Sequence, residues 1–114
     1  MQVDKSLMTG STVMLVLALL SQREMYGYEM IAELARRSDD TFQLREGTLY
    51  PILHALEADK CVTAFEKAAE SGRLRRYYRI TRRGRRQLEE KQAEWRFFTG
   101  KVEQVVFGAS PAPA

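Results

Sequence analysis

The sequence has one cysteine, one histidine and no apolar run long enough to cross a membrane. A lone Cys61 excludes an intramolecular disulfide and is more typical of the reducing cytoplasm than of a secreted protein. Cys61 and His54 cannot complete a tetrahedral metal site by themselves, so we expect no metal and no cofactor. The longest apolar run, residues 13–20, has eight residues, whereas a membrane-spanning helix needs roughly 20. The chain is therefore predicted to be cytoplasmic and to have no contact with a membrane.

The sequence also lacks the motifs of an enzyme. It has no recognisable spacing of nucleophile, base and acid, and no glycine-rich loop that could hold a phosphate. Its 114 residues, of which 45% are hydrophobic and 29% charged, are typical of one globular domain. A binding function is favoured over catalysis.

Acidic residues are absent from residues 71–86, a segment that holds eight arginines. The formal net charge of the chain is +3, so removing those eight positive charges leaves −5 for the remainder. A concentrated arginine patch on an otherwise acidic protein is typical of nucleic-acid binding. The alternative is an ordinary solvated surface, but such surfaces usually mix charges of both signs. We interpret the segment as one arginine-rich hairpin and the start of the helix that follows it, and we expect it to bind a polyanion.

Two helices and a short strand are predicted before residue 45. Residues 12–20 are apolar on nearly all sides, as a buried helix is, and residues 26–37 have the pattern of an amphipathic second helix. Residues 41–44 then alternate between polar and apolar side chains, which predicts a short strand.

The third predicted helix carries the candidate recognition surface. Proline is tolerated cheaply only in the first helical turn, so Pro51 indicates a start near Gly47 or Thr48, with the Thr48 hydroxyl as the cap. Its buried face is formed at helical spacing by Leu49, Ile52, Leu53 and Leu56. Tyr50, Pro51 and His54 are left pointing outward near the start, as in a helix that enters the DNA major groove.

A β-hairpin is predicted after the third helix. Residues 62–67 and 74–80 are the two strand candidates, and the loop between them contains Gly72. Arg73, Arg75 and Arg76 lie at the tip and along the second strand, where we expect them to contact phosphates or the minor groove. The predicted fold class is mainly α with a small β-hairpin wing, an α+β winged helix-turn-helix with a C-terminal dimerisation helix.

Three motifs add a family resemblance to this interpretation. They are YGYE at residues 26–29, EGTLYPILHALE at residues 46–57, and GR at residues 72–73 followed by YYRIT at residues 77–81 and Gly84. Together they closely resemble the PadR family of bacterial transcriptional regulators, over about Thr9 to Val106. The second motif is highly specific, whereas YGYE alone would not be.

The resemblance implies a homodimeric winged-helix repressor. In such a protein the third helix and the wing contact DNA, and the last helix makes the dimer with help from the first. Carried over by position, the DNA contacts would come from Tyr28, Thr48, Tyr50, Pro51, Arg73 and Arg75. The chain departs from the family at Lys60, where glycine is usual after the recognition helix. A lysine there would cost about 1 kcal/mol more than glycine if its backbone were left-handed.

The last predicted helix, residues 81–107, has Thr81 as a plausible cap and a seam of large apolar side chains. The seam has coiled-coil-like spacing and is formed by Leu88, Trp95, Phe98, Val102 and Val105. We expect it to be the homodimer interface, because a small core could not cover it. The chain is thus divided into a DNA-binding domain at residues 1–80, whose first helix also supports the dimer, a dimerisation helix at 81–107 and a disordered tail at 108–114.

Trp95 allows a further hypothesis about an effector. Near a two-fold axis its indole would meet that of its symmetry mate, and a gap between them would hold a small planar aromatic effector by stacking. Simple packing is the alternative, and it is favoured.

Two functions remain open at this point. The favoured one is a sequence-specific, effector-responsive repressor that binds double-stranded DNA as a homodimer, at a pseudo-palindrome with half-sites about 10 bp apart or a multiple of that. The other is a winged-helix module that binds RNA or a protein partner through the same basic hairpin.

Overall fold

The computed structural model describes residues 1–108, which form five helices and three strands. In chain order these are α1 (Lys5–Thr9), α2 (Thr12–Leu20), β1 (Met25–Tyr26), α3 (Gly27–Arg37), α4 (Glu46–Ala58), β2 (Val62–Ala68), β3 (Leu74–Ile80) and α5 (Arg82–Phe107). The predicted fold class, a mainly helical winged helix-turn-helix with a small antiparallel wing and a long last helix, is confirmed. Within these residues no helix has both the length and the apolar character to cross a membrane. Residues 109–114 of the predicted tail lie outside the described residues.

Helix α2 is the predicted first helix, with the predicted bounds. Its Val16 and Leu17 side chains are fully buried, and the helix packs against α3, β3 and α5. The core around it is completed by Met25, Met30, Leu49, Leu53, Val62 and Tyr78. The short α1 before it was not predicted. Helix α1 has its N-cap at Asp4, whose carboxylate accepts a hydrogen bond from the Ser6 amide at 2.8 Å.

The three strands form one antiparallel sheet in the order β1-β3-β2. The predicted hairpin is present, paired from Val62↔Ile80 at its base to Ala68↔Leu74 near its tip, and Gly72 has φ 86° in the connecting turn. Strand β1 was not predicted, because a pair of residues is too short to show an alternating pattern. It adds Met25↔Tyr78 and Tyr26↔Tyr77 to the sheet, so the start of α3 is joined directly to the wing.

The prediction of a strand at residues 41–44 is wrong. The segment is a loop in which Phe42 and Leu44 turn inward, which produces the alternation without a neighbouring strand. Asp39 and Asp40 have φ values of 50° and 61°, and this left-handed pair reverses the chain after α3. The Phe42 amide then donates a hydrogen bond to the Ser38 hydroxyl at 2.9 Å instead of joining a sheet.

Helix α4 begins earlier than predicted. Arg45 occupies the N-cap position, without a side-chain capping bond, and the Thr48 amide donates to the Arg45 carbonyl at 3.0 Å. Thr48 therefore lies inside the helix and is not its cap, and Pro51 lies in the second turn. Proline at 51 cannot donate to the Gly47 carbonyl one turn before it. Gly47 is exposed, so water can satisfy that carbonyl.

Lys60, where the chain departs from the family pattern, lies in the turn after α4. Its φ is 63°, so the backbone is left-handed, and the Cys61 amide donates to the Leu56 carbonyl at 2.8 Å, closing the end of the helix. This is the conformation that glycine adopts at the end of many helices.

Lys60→Gly is therefore expected to raise the free energy of unfolding by about 1 kcal/mol. Urea denaturation would show a higher midpoint with an unchanged slope. Asp59→Gly is the matched control, because Asp59 has φ −80° and gains nothing from glycine. If Lys60→Gly were no more stable than the parent protein, the left-handed turn would not be a source of strain.

Helix α5 is anchored to the base of the hairpin. The Thr81 hydroxyl accepts a hydrogen bond from the Gly84 amide at 3.0 Å, which confirms the predicted cap, and donates one to the Lys60 carbonyl at 2.7 Å. Gly84 lies against the backbone of Cys61, whose thiol is buried and donates to Gln87 Oε1 at 2.7 Å. The first turns of α5 are thereby fixed, whereas the rest of the helix has little contact with its own chain.

Candidate DNA interface

The start of α4 and the start of α3 present the exposed side chains expected of a recognition surface. Thr48, Pro51 and His54 are all exposed on α4. Tyr28 is 65% exposed in the first turn of α3. The opposite face of α4 is held in the core by Leu49, Leu53 and Leu56. The predicted division of α4 into a buried and an outward face is therefore present for these residues.

Tyr50 differs from the other predicted contacts because it is half-buried. Its ring lies against Gly27, where an added Cβ would overlap the Tyr50 hydroxyl and approach Cζ to 2.8 Å. Burial raises the pKa of the Tyr50 hydroxyl, and the nearby Glu46 carboxylate raises it further. Tyr50 thus joins α4 to α3 and does not stand free on the outward face as expected.

On the wing, Arg73 and Arg75 are the arginines without an acidic partner among the described residues. Arg73 is exposed at the tip. The Arg75 guanidinium lies over the Tyr26 ring at 5.3 Å from its centre, and Arg75 Nε is buried with no hydrogen-bond partner in residues 1–108. Neither guanidinium is neutralised by a carboxylate within residues 1–108.

Arg76 forms contacts with its own chain that Arg73 and Arg75 do not form. Alternation along β3 places it on the other face of the hairpin from Arg75, and there it forms an ion pair with Glu57 of α4 at 3.2 Å. It also lies over the Tyr78 ring at 5.8 Å. Arg76 therefore connects the wing to α4, and its charge is partly neutralised.

Two further ion pairs join the hairpin to the turn before β1. Glu24 binds Lys67 at 2.8 Å and Arg79 at 3.1 Å. The hydrogen bond from Lys67 has the largest effect in lowering the pKa of the Glu24 carboxyl, and the hydrogen bond from Arg79 lowers it further. Next to them Tyr77 is stacked on Phe65 and in edge contact with Tyr26. The wing is thus held at a fixed position beside α3 and α4.

Comparison with known proteins identifies the family. The sequence model described as "Transcriptional regulator PadR-like family" matches residues 16–90, which include α3, α4 and the whole wing. The chain belongs to this family. As a PadR-like transcriptional regulator it is a DNA-binding regulator and not an enzyme.

Individual relatives agree with this assignment. A transcriptional regulator of Mycobacterium tuberculosis is 39% identical over 70 residues, which are 61% of this chain and 62% of the relative. A PadR-like transcriptional regulator from Bacillus cereus has a similar crystal structure, with a TM-score of 0.78, 33% identity, and coverage of 89% of this chain and 96% of that one. A transcriptional regulator from Clostridium thermocellum gives a TM-score of 0.81 at 27% identity, covering 89% and 98%.

The arginine run of this PadR-like regulator extends over the hairpin and the start of α5, as the predicted helix over residues 81–107 implies. Half of the arginines are on the hairpin, and the other half are in the first two turns of α5: Arg82, Arg83, Arg85 and Arg86. The paired strands separate the wing tip from this second group by roughly 20 Å. Arg85 donates a hydrogen bond to the Ser21 carbonyl at 3.3 Å. The group at the base of the hairpin lies away from the wing tip.

The predicted seam on α5 also consists of two parts, one buried in its own chain and one exposed. Leu88 is 7% exposed and belongs to the core of its own chain, so little of its surface is available to a partner. The rest of the seam is 41% to 84% exposed and consists of Trp95, Phe98, Val102 and Val105. Exposed apolar side chains of this size on one helix are typical of an interface.

Proposed function

We propose that this PadR-like regulator is an effector-responsive repressor that binds a pseudo-palindromic operator as a homodimer in the cytoplasm. This proposal rests mainly on the exposed start of α4 and on a neighbouring wing whose Arg73 and Arg75 have no acidic partner in residues 1–108. An α-helix fits the major groove of B-DNA, and guanidinium groups on an adjacent ribbon reach phosphates or the minor groove.

Each predicted contact has a proposed role in this complex. Thr48, Pro51 and His54 face the base edges, and Tyr28 lies beside them on α3. Tyr50 acts mainly by fixing α4 against Gly27. Arg73 and Arg75 bind phosphates, and Arg76 contributes less because Glu57 partly neutralises its charge. Specificity is therefore assigned to the helix and affinity to the wing.

Dimerisation is proposed to occur through the exposed part of α5. A helix of 26 residues is about 39 Å long, and here its second half is exposed almost throughout. A second copy of the chain would cover the seam at Trp95, Phe98, Val102 and Val105. A two-fold dimer places two α4 helices on DNA, with half-sites about 10 bp apart or a multiple of that.

Selection of bound duplexes from a random pool tests this function directly. We expect a pseudo-palindromic consensus with two half-sites in helical phase. No enrichment of any duplex, or tighter binding of single-stranded RNA in a competition assay, would contradict the repressor and favour the alternative RNA or protein partner.

A further inference from the structure

The outer face of the wing, which is the side of the hairpin turned away from the core, carries three cations. Residues that are directly paired on β2 and β3 lie on the same face of the hairpin. The outer face is formed by the pairs Lys67↔Arg75, Phe65↔Tyr77 and Thr63↔Arg79. The opposite face packs on the core through Val62, Tyr78 and Ile80.

Each of these three cations is held over an aromatic ring. The distances to the ring centres are 4.9 Å for Lys67 over Tyr77, 5.3 Å for Arg75 over Tyr26 and 4.6 Å for Arg79 over Phe65. The electrons of an aromatic ring attract a cation that lies on its face. The three positive charges are therefore arranged on one surface before any partner binds.

Glu24 neutralises two of the three cations on the outer face. Its carboxylate binds Lys67 at 2.8 Å and Arg79 at 3.1 Å, whereas Arg75 forms no ion pair within residues 1–108. The side chains of Lys67 and Arg79 are nevertheless 50% and 59% exposed. A phosphate can therefore reach both cations from solvent, but it meets the carboxylate there.

The pairing of the strands places Lys67 next to a proposed phosphate contact. Lys67 is directly opposite Arg75, and the Cβ atoms of such a pair are about 5 Å apart. Carboxylate and phosphate oxygens accept hydrogen bonds from the same lysine and arginine donors. Glu24 thus occupies donors that a phosphate beside Arg75 would otherwise use.

We propose that the outer face of the wing is a continuous phosphate-binding surface, and that Glu24 competes with DNA phosphates for Lys67 and Arg79. This inference rests on the proposed function, which places the wing on DNA. Glu24 is then a positioning residue that lowers the affinity for every duplex, because phosphate contacts carry no information about base sequence. A wing with all three cations free would hold the regulator more tightly on DNA of any sequence.

The variant Glu24→Gln in the full chain tests this inference with a duplex of random sequence. Glutamine keeps the size of the side chain and removes its charge, which frees Lys67 and Arg79. We expect tighter binding at low salt and a slope of log K against log salt that is steeper by at least about 0.9, the value for one added phosphate contact. The selected operator should show the same increase in slope. Tm should change by no more than a few degrees, because exposed ion pairs contribute little to stability.

Two further variants separate this effect from a general change of charge. Glu33→Gln removes the same charge from α3, where Glu33 binds two arginines of its own helix. We expect that variant to keep the parent slope. The triple variant Glu24→Gln/Lys67→Gln/Arg79→Gln also removes the freed cations and should return the slope to the parent value.

Three results would overturn the inference. They are an unchanged slope in Glu24→Gln, a steeper slope that persists in the triple variant, and a gain on the operator alone, which would place the effect in base reading. A lower Tm with an unchanged slope would make Glu24 only a structural brace and is included in the first.

The proposed function fails in a different way. If the parent protein bound duplexes without preference for any sequence, the repressor would be contradicted, yet the comparison of slopes on the random duplex would stand. Absence of binding to any duplex would contradict both. The two failures are therefore distinguishable wherever the protein binds DNA.

Discussion

Replacing Phe98 and Val102 with glutamate is expected to give a folded monomer that binds operator DNA at least about a hundredfold more weakly than the parent protein. The two side chains are 58% and 41% exposed in a single chain, so the protomer loses little of its own packing. In the dimer the added carboxylates would lie in an apolar interface, where unpaired charge is strongly unfavourable. A monomer contacts only one half-site, so the gain in affinity from linking two DNA-binding units in one dimer is lost.

Light scattering and operator titration would measure both consequences. Ala93→Glu/Gln104→Glu is the matched control, because it adds the same charge to α5 at exposed positions on the face away from the seam. We expect that variant to stay dimeric and to keep its operator affinity to within a few-fold. A Phe98/Val102 variant that remained a dimer would place the interface elsewhere.

Gly84→Ala is expected to lower the free energy of unfolding by about 3 kcal/mol, at the upper end of the usual range for overpacking. An added Cβ would overlap the Cys61 carbonyl and lie 2.7 Å from Ile80 Cγ1. The nearest atom to the added Cβ is the Cys61 carbonyl oxygen. Because this is a backbone atom and not the end of a flexible side chain, α5 must shift away from the hairpin. The cap between Thr81 and the Gly84 amide would be strained by the same movement.

Thermal unfolding is the measurement, with an expected fall in Tm of roughly 10 °C or more. Gly100→Ala on the same helix is the control, because no atom of the described residues lies within 4 Å of the added Cβ. Alanine is the better helix former by about 1 kcal/mol, so Gly100→Ala should be as stable as the parent protein or more so. Equal Tm values for the two variants would mean that the close approach at Gly84 is absent in solution.

Most of the fold could be predicted because local patterns and the core agree with each other. The continuous apolar character of α2 indicated burial on several faces, and its residues Val16 and Leu17 are fully buried. Helical spacing on α4 gave the buried Leu49 and Leu53. The change to alternation after residue 60 gave the hairpin. These signals lie within a few residues of each other in the chain, so they could be recognised without knowledge of tertiary contacts.

The errors in the fold arose where tertiary structure determined the outcome. Alternation at residues 41–44 was produced by a loop whose Phe42 amide is bound by Ser38. Pro51 is tolerated in the second turn of α4, so it did not fix the helix start as expected. Leu88 followed the seven-residue spacing of the seam and is nevertheless part of its own core. A spacing rule shows that two residues share a face but not which partner covers it.

The candidate site was predictable in position but not in the roles of its arginines. Residues 71–86 showed one continuous basic segment, yet Arg76 is paired with Glu57, and Arg79 with Glu24, which is 55 residues away in the sequence. No pattern in the sequence indicates such distant partners. Alternation along the predicted strand places Arg75 and Arg76 on opposite faces, but only the folded chain shows that Glu57 lies next to Arg76. Free and neutralised charges could therefore be distinguished only in the folded chain.

The salt dependence of operator binding in two charge-matched variants tests the central claim most directly. Arg73→Ala/Arg75→Ala removes the two wing arginines that form no ion pair within residues 1–108, whereas Arg82→Ala/Arg83→Ala removes the same charge at the base of the hairpin. Each lost phosphate contact lowers the slope of log K against log salt by about 0.9. We expect the wing variant to lose about two units of slope and the base variant to keep the parent slope. An unchanged slope in the wing variant, with the loss in the base variant instead, would contradict the proposed interface.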